Sequence, residues 1–192
     1  MRTNIIRSAI VIVASTVLLG LVYPAVMVAV GQIAFSNQAD GSLIQRGGTT
    51  VGSKLAAQAF DGPRYFHPRP SAVAYDAAGT SFSNLGPNSK ALAKLVHERI
   101  GKIMRLEGPY NPGLTVRDIP VDAVTASGSG IDPDISEAYA ELQAPRIAAV
   151  RHLSLATVRR LISDHVDGRS LGFLGEPGVN VLELNLALDR EH

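Results

Sequence analysis

The 192-residue chain has no cysteine and no tryptophan. Without cysteine it forms no disulfide and offers no thiolate nucleophile, and the lack fits either side of a membrane. Net charge is also scarce: 18 Lys and Arg stand against 17 Asp and Glu, a formal +1. Beyond residue 35 the balance is 16 basic to 17 acidic, a net −1. That gives no electrostatic footprint for nucleic acid or an anionic surface. Familiar catalytic signatures are missing too. No phosphate-binding loop ending Gly-Lys-Ser/Thr occurs, no Asp-Lys-Thr-Gly and no His-Glu-x-x-His. His67, His97, His152 and His165 have no ligand spacing and read as surface or packing residues.

What is present is dominated by one run. No charged side chain lies between Arg7 and Asp40, and Ser8–Ala34 is mostly Ile, Val, Leu and Ala. As a helix rising about 1.5 Å per residue, this run reaches roughly 40 Å, enough to cross a bilayer core of about 30 Å. A cleaved secretory leader competes with this reading, with a cleavage pattern around Asn37-Gln38-Ala39. Its apolar core would be only about 7–15 residues long, however, so an uncleaved anchor fits better. Pro24 predicts a kink, or a face at Tyr23-Pro24 that packs on another subunit. Arg2 and Arg7 precede the span, and the positive-inside bias puts the N-terminus in the cytoplasm and the rest outside. The expected organisation is a cytoplasmic N-terminus and transmembrane helix over residues 1–35, then one soluble extracytoplasmic α+β domain over 36–192.

Within that domain, Ser42–Gln45 and Thr49–Val51 around Arg46-Gly47-Gly48 predict a hairpin. Residues 60–88 are rich in Gly, Pro, Ser and aromatics and predict a long irregular loop that is functional or packed on something. Pro87–Leu106 has apolar residues at helical spacing. Val121–Val124 reads as a short strand or extended piece. Ser136 is a plausible cap for a helix through His152, with a bend or break expected at Pro145, and Ser154 for one to about Val166. Leu182, Leu184, Leu186 and Leu188 alternate with other residues and predict a half-buried strand over Val181–Leu188.

Two segments carry more polar and turn residues than folding needs. In Tyr65–Ala72, Arg69 is suited to grip a carboxylate or phosphate, or else the loop is held by prolines and aromatics. In Val121–Ser136, a Ser127-Gly128-Ser129-Gly130 loop runs towards a helix N-terminus, a combination that suits an anion. Asp122, Asp132 and Asp134 oppose bare phosphate there unless a cation is shared.

The order of segments resembles the C subunit of the bacterial potassium-transporting P-type ATPase, the Kdp complex. The matching pieces are the N-terminal span, Gly52–Phe60, Tyr65-Phe66 with Arg69–Ala72, Ser83–Pro87, Val121–Ser136, Gln143 with Arg146–Ala148, and Leu171-Gly172 through Asn185. Thr80-Ser81-Phe82 departs from the usual turn. The resemblance implies a non-catalytic inner-membrane subunit, needed for assembly with a potassium-binding channel-like subunit and an ATP-hydrolysing P-type subunit. It also implies a role in raising the pump subunit's ATP affinity, with Ser127, Gly128, Ser129, Gly130 and Gln143 as the nucleotide-contacting positions. An outside domain meets no ATP, so the charge bias points instead to a cap over the ion entrance, with the three aspartates where cations approach. Two other readings stay open: an anchored hydrolase using Ser127 or Ser129, and a solute-binding or sensor head.

Overall fold

The computed structural model describes residues 2–191, which fall into two units, one up to Leu43 and one from Ile44 onward. The first begins with helix α1 (Arg2–Val17), a π-helical turn over Leu18–Val22, and α2 (Tyr23–Ala34). Together they form one helix of 33 residues whose most apolar 18-residue stretch has mean hydropathy 2.4, long and apolar enough to cross a membrane. Pro24 has no N–H for the Gly20 carbonyl, and its ring crowds that oxygen. The helix accommodates this by widening just before the proline: the Tyr23 N–H reaches back five residues to Leu18 O. A one-turn helix, α3 (Ser36–Ala39), ends this unit.

The second unit mixes helix and sheet, as the sequence predicts. Strands β1 (Leu43–Arg46) and β2 (Thr49–Ser53) form the expected hairpin. Gly47 and Gly48 turn it at φ +58° and +81°, the left-handed pair that a tight two-residue hairpin requires. After a long irregular stretch come α4 (Lys90–Glu107), α5 (Val121–Val124) and β3 (Asp134–Ile135). Then follow α6 (Glu137–Arg151), α7 (Leu155–Asp164), β4 (Val166–Asp167), β5 (Gly178–Asn180) and α8 (Val181–Leu188). The three short strands pair antiparallel in the order β3-β5-β4. The core lies where α4, α6, α7 and α8 meet, and Phe66, Ile147, Val158, Leu184 and Leu188 there are fully buried.

Three sequence expectations fail. Val181–Leu188 is a helix, not a strand. Its buried residues are Val181, Leu182, Leu184, Asn185 and Leu188, the spacing of a helical face. The Asn180 side chain starts it by accepting from Glu183 N at 3.2 Å. Val121–Val124 is a single helical turn, closed by Thr125 N and Oγ1 bonding Val121 O at 2.9 and 2.8 Å. Pro145 neither breaks nor ends α6. An interior proline costs about 3 kcal/mol, but five buried residues before it and three after it keep the helix continuous.

The helical register of α8 makes a prediction. Leu184→Ala, at 0% exposure, should lower unfolding free energy by about 2–5 kcal/mol. Leu186→Ala, half-buried on the opposite edge, should cost less than half of that by denaturant titration. Equal losses would restore the strand.

Candidate functional site

Between Ser53 and Lys90 the chain forms no helix and no named strand, yet Phe66 in its middle is completely buried. A buried irregular backbone must find partners for every N–H and C=O, because each orphan costs roughly 1–3 kcal/mol. Here side chains from α6 and α8 supply them. The Asn185 amide bonds both backbone groups of Phe66, accepting from N at 2.8 Å and donating to O at 2.9 Å. Gln143 does the same for His67, at 2.8 and 3.1 Å. Arg146 donates to the carbonyls of Pro63 and Tyr65. Arg151 donates to Arg64 O at 2.8 Å and stacks 4.9 Å over the Tyr65 ring.

Arg146 is 0% exposed and is the hub of this clamp. Its Nε donates to Glu107 Oε1 at 2.8 Å, and its Nη2 donates to Gln143 Oε1 at 2.9 Å. Glu107 is itself 2% exposed, and its Oε2 has no partner among the described residues. Burial pushes the Glu107 carboxyl up despite the adjacent guanidinium, and burial likewise pushes the His67 imidazole down. Glu107 and Tyr139 line a cleft of about 450 Å³ between α4 and residues 59–75, with Arg99 and Lys102 also in its lining.

The Ser127–Gly130 loop is a compact turn packed against residues 70–81. Ser127 is buried, and its Oγ accepts from Gly130 N at 2.9 Å. Ser71 Oγ donates to Gly130 O at 2.6 Å, and Ser81 N donates to Ser129 O at 3.1 Å. Gly130 has φ +76°, and a Cβ there would come 2.8 Å from the Ser81 carbonyl oxygen, so only glycine fits. Gly128 and Ser129 are exposed. The loop does not open directly onto α6, because β3 intervenes. The α6 N-terminus already has its anion: Asp122 accepts from Ser136 N at 2.7 Å and from Ser136 Oγ at 2.9 Å. Arg69 grips Asp132 at 2.8 Å through one nitrogen. Asp134 accepts from Asn180 at 3.1 Å, while burial pushes its carboxyl up. Among the described residues no His, Asp and Glu group gathers as a metal site.

A family model described as KdpC: K+-transporting ATPase, c chain, matches residues 5–190. The chain belongs to the KdpC family. A curated relative, the Potassium-transporting ATPase KdpC subunit of Mycobacterium tuberculosis (strain ATCC 25618 / H37Rv), is 50% identical over 192 residues, spanning 99% of this chain and 100% of the relative. The protein of that name from Acidobacterium capsulatum is 48% identical over 192 residues, spanning 98% of this chain and 100% of its own. That from Koribacter versatilis (strain Ellin345) is 43% identical over 191 residues, spanning 98% and 95%.

With the family in hand, the nucleotide-contacting positions expected from the resemblance can be weighed. The groove beside Ser127 and Gly128 is lined by residues 82–86 and 126–128. It contains neither Gln143 nor any Lys or Arg. Gln143 is 0% exposed, with its amide bonded to the chain's own backbone. As arranged, Gln143 does not reach a ligand in that groove, and the groove offers a triphosphate no cation. Sequence reading missed the structural roles of Arg146, Glu107 and Asn185. It also takes the chain to lack a Gly-x-Ser-x-Gly nucleophile elbow, whereas Gly168-Arg169-Ser170-Leu171-Gly172 has that spelling. That segment joins two antiparallel strands rather than a strand and a helix, so the elbow's context is missing.

The clamp predicts a non-additive pair. Arg146→Met should lower unfolding free energy by about 3–5 kcal/mol, because it strands the buried Glu107 charge. Adding Glu107→Leu should recover part of that loss but not all, because the Pro63 and Tyr65 carbonyls stay unpartnered. Denaturant titration of the four-member cycle reads both.

Proposed function

We propose that this chain is a non-catalytic subunit of an ATP-driven potassium uptake complex, needed for assembly with a potassium-binding channel-like subunit and an ATP-hydrolysing P-type subunit. The observation that carries this reading is the family match over residues 5–190. Support comes from the interior. In the strongest polar constellation Arg146, Gln143 and Asn185 are engaged with the chain's own backbone, and Glu107 is paired through Oε1 with Arg146. A protein built this way acts through contacts rather than through bond making. The hydrolase alternative has little behind it, since the Ser127 and Ser129 hydroxyls each accept from a neighbouring backbone N–H, at 2.9 and 3.1 Å. The test is purification of the large subunits from cells with and without this chain. Recovery of the intact complex and its potassium-stimulated ATPase activity should require the chain. Full activity in its absence would overturn the reading.

The span is proposed to lie in the cell inner membrane with Arg2 and Arg7 on the cytoplasmic side and residues 36–192 outside. Raising the pump subunit's ATP affinity through Ser127–Gly130 and Gln143 remains the family's implication. The outward placement and the chemistry of the groove both weigh against it, and no step here is routed through ATP. Ser129 is exposed, so a Ser129→Cys variant reports the side directly in a chain free of other cysteines. An impermeant thiol reagent should label it in intact cells. Labelling only after lysis would reverse the orientation and reopen the cytosolic ATP reading.

A further inference from the structure

The connection from β4 to β5 takes no part in the clamp. At its tip Leu171 is 83% exposed, Phe173 68% and Leu174 50%. The tip is not slack. Ser170 and Leu174 exchange backbone hydrogen bonds, each at 2.9 Å, and Gly172 N donates to Arg169 O at 3.0 Å. At the base, Arg169 pairs with Glu176 at 2.7 Å. Leu171 holds φ +55°, a left-handed backbone that costs a residue with a side chain about 1–2 kcal/mol. The turn's own hydrogen bonds hold this conformation, and the residue that carries it is also the most exposed of the three. Strain and apolar exposure together mark a segment shaped for something outside itself.

Resting on the subunit reading above, we infer that this tip is a knob that docks into an apolar socket on another protein subunit of the same membrane assembly. Charge argues against an anionic lipid surface. From Asp164 to Glu176 the segment carries three carboxylates and one guanidinium; Arg169 is paired with Glu176, and the nearby Lys54 with Asp167 and Glu183, so neither cation is left to attract such a surface. Size argues against a second copy of this chain. The three side chains offer on the order of 400 Å², about half of what each partner contributes to a stable interface. A knob this small holds only a partner kept close by other means, as two chains anchored in one membrane are. The socket is uncharged and accepts a leucine and a phenylalanine side by side.

The test places a benzophenone amino acid at Phe173 of the full chain in cells that make the whole complex. Irradiation should give one adduct joining this chain to a large subunit. The Leu171→Asp/Phe173→Asp variant should recover at least about tenfold less complex, equivalent to about 1.4 kcal/mol, with an unchanged thermal midpoint because both side chains are mostly exposed in the free chain. An adduct with lipid or with a second copy, or no adduct from an intact complex, overturns the inference alone. Failure of the unaltered chain to recover any other subunit overturns the subunit reading and the inference with it.

Discussion

Residues 63–67 lie against the core as irregular chain, and they stay there only because side chains on two helices complete their backbone hydrogen bonds. This constraint organises the rest. Regular structure satisfies its own peptide groups, so a helix or strand can be buried by hydrophobicity alone. A bend with Phe66 inserted into the core cannot. It requires amides and guanidinium groups placed to match successive N–H and C=O groups. Asn185 and Gln143 each serve one residue from both sides, as a neighbouring strand would.

That requirement explains an otherwise costly ion pair. Burying Arg146 with Glu107 takes two charges out of water, and the attraction between them only partly repays the desolvation. Arg146 nevertheless cannot be exchanged for an apolar residue without leaving the carbonyls of Pro63 and Tyr65 stranded. Glu107 is therefore present to neutralise a cation that the loop needs. The upward push on the Glu107 carboxyl, with burial as its first cause, is the mark of that compromise. It is a structural perturbation, although such shifts often mark catalytic acids.

The same logic explains what the sequence could and could not tell. The apolar span, the Gly-Gly hairpin and the caps at Ser136 and Ser154 depend on local chemistry and were legible. The α8 helix was misread because Leu182, Leu184, Leu186 and Leu188 happen to alternate. Asn180 followed three residues later by Glu183 was the stop-and-start signal that outranked the alternation. Pro145 was overread, since local propensity yields to eight buried neighbours in the same helix. The Ser-Gly-Ser-Gly turn looked like an anion cradle because its composition is that of one. Whether Asp122 fills the helix end is a long-range fact that no local pattern contains. Gln143 enters the sequence reading only through the family resemblance, as a nucleotide-contacting position; in the structure its amide is buried and bonded to the His67 backbone.

The inward direction of these polar groups sets the character of the second unit. A catalytic site turns unsatisfied groups towards a space that substrate can enter. Here Arg146, Gln143, Asn185 and Asp122 are all bonded within the chain and Arg69 is held by Asp132, so that among the described residues only Glu107 Oε2 and Arg69 Nε are buried side-chain polar atoms without a partner. What faces outward instead is shape, above all a hydrogen-bonded turn presenting Leu171 and Phe173. With these polar groups bonded within the chain and a few apolar projections on its surface, the second unit has much of its order in place before any contact is made. It loses little conformational freedom on assembly, so even small contacts retain most of their binding free energy.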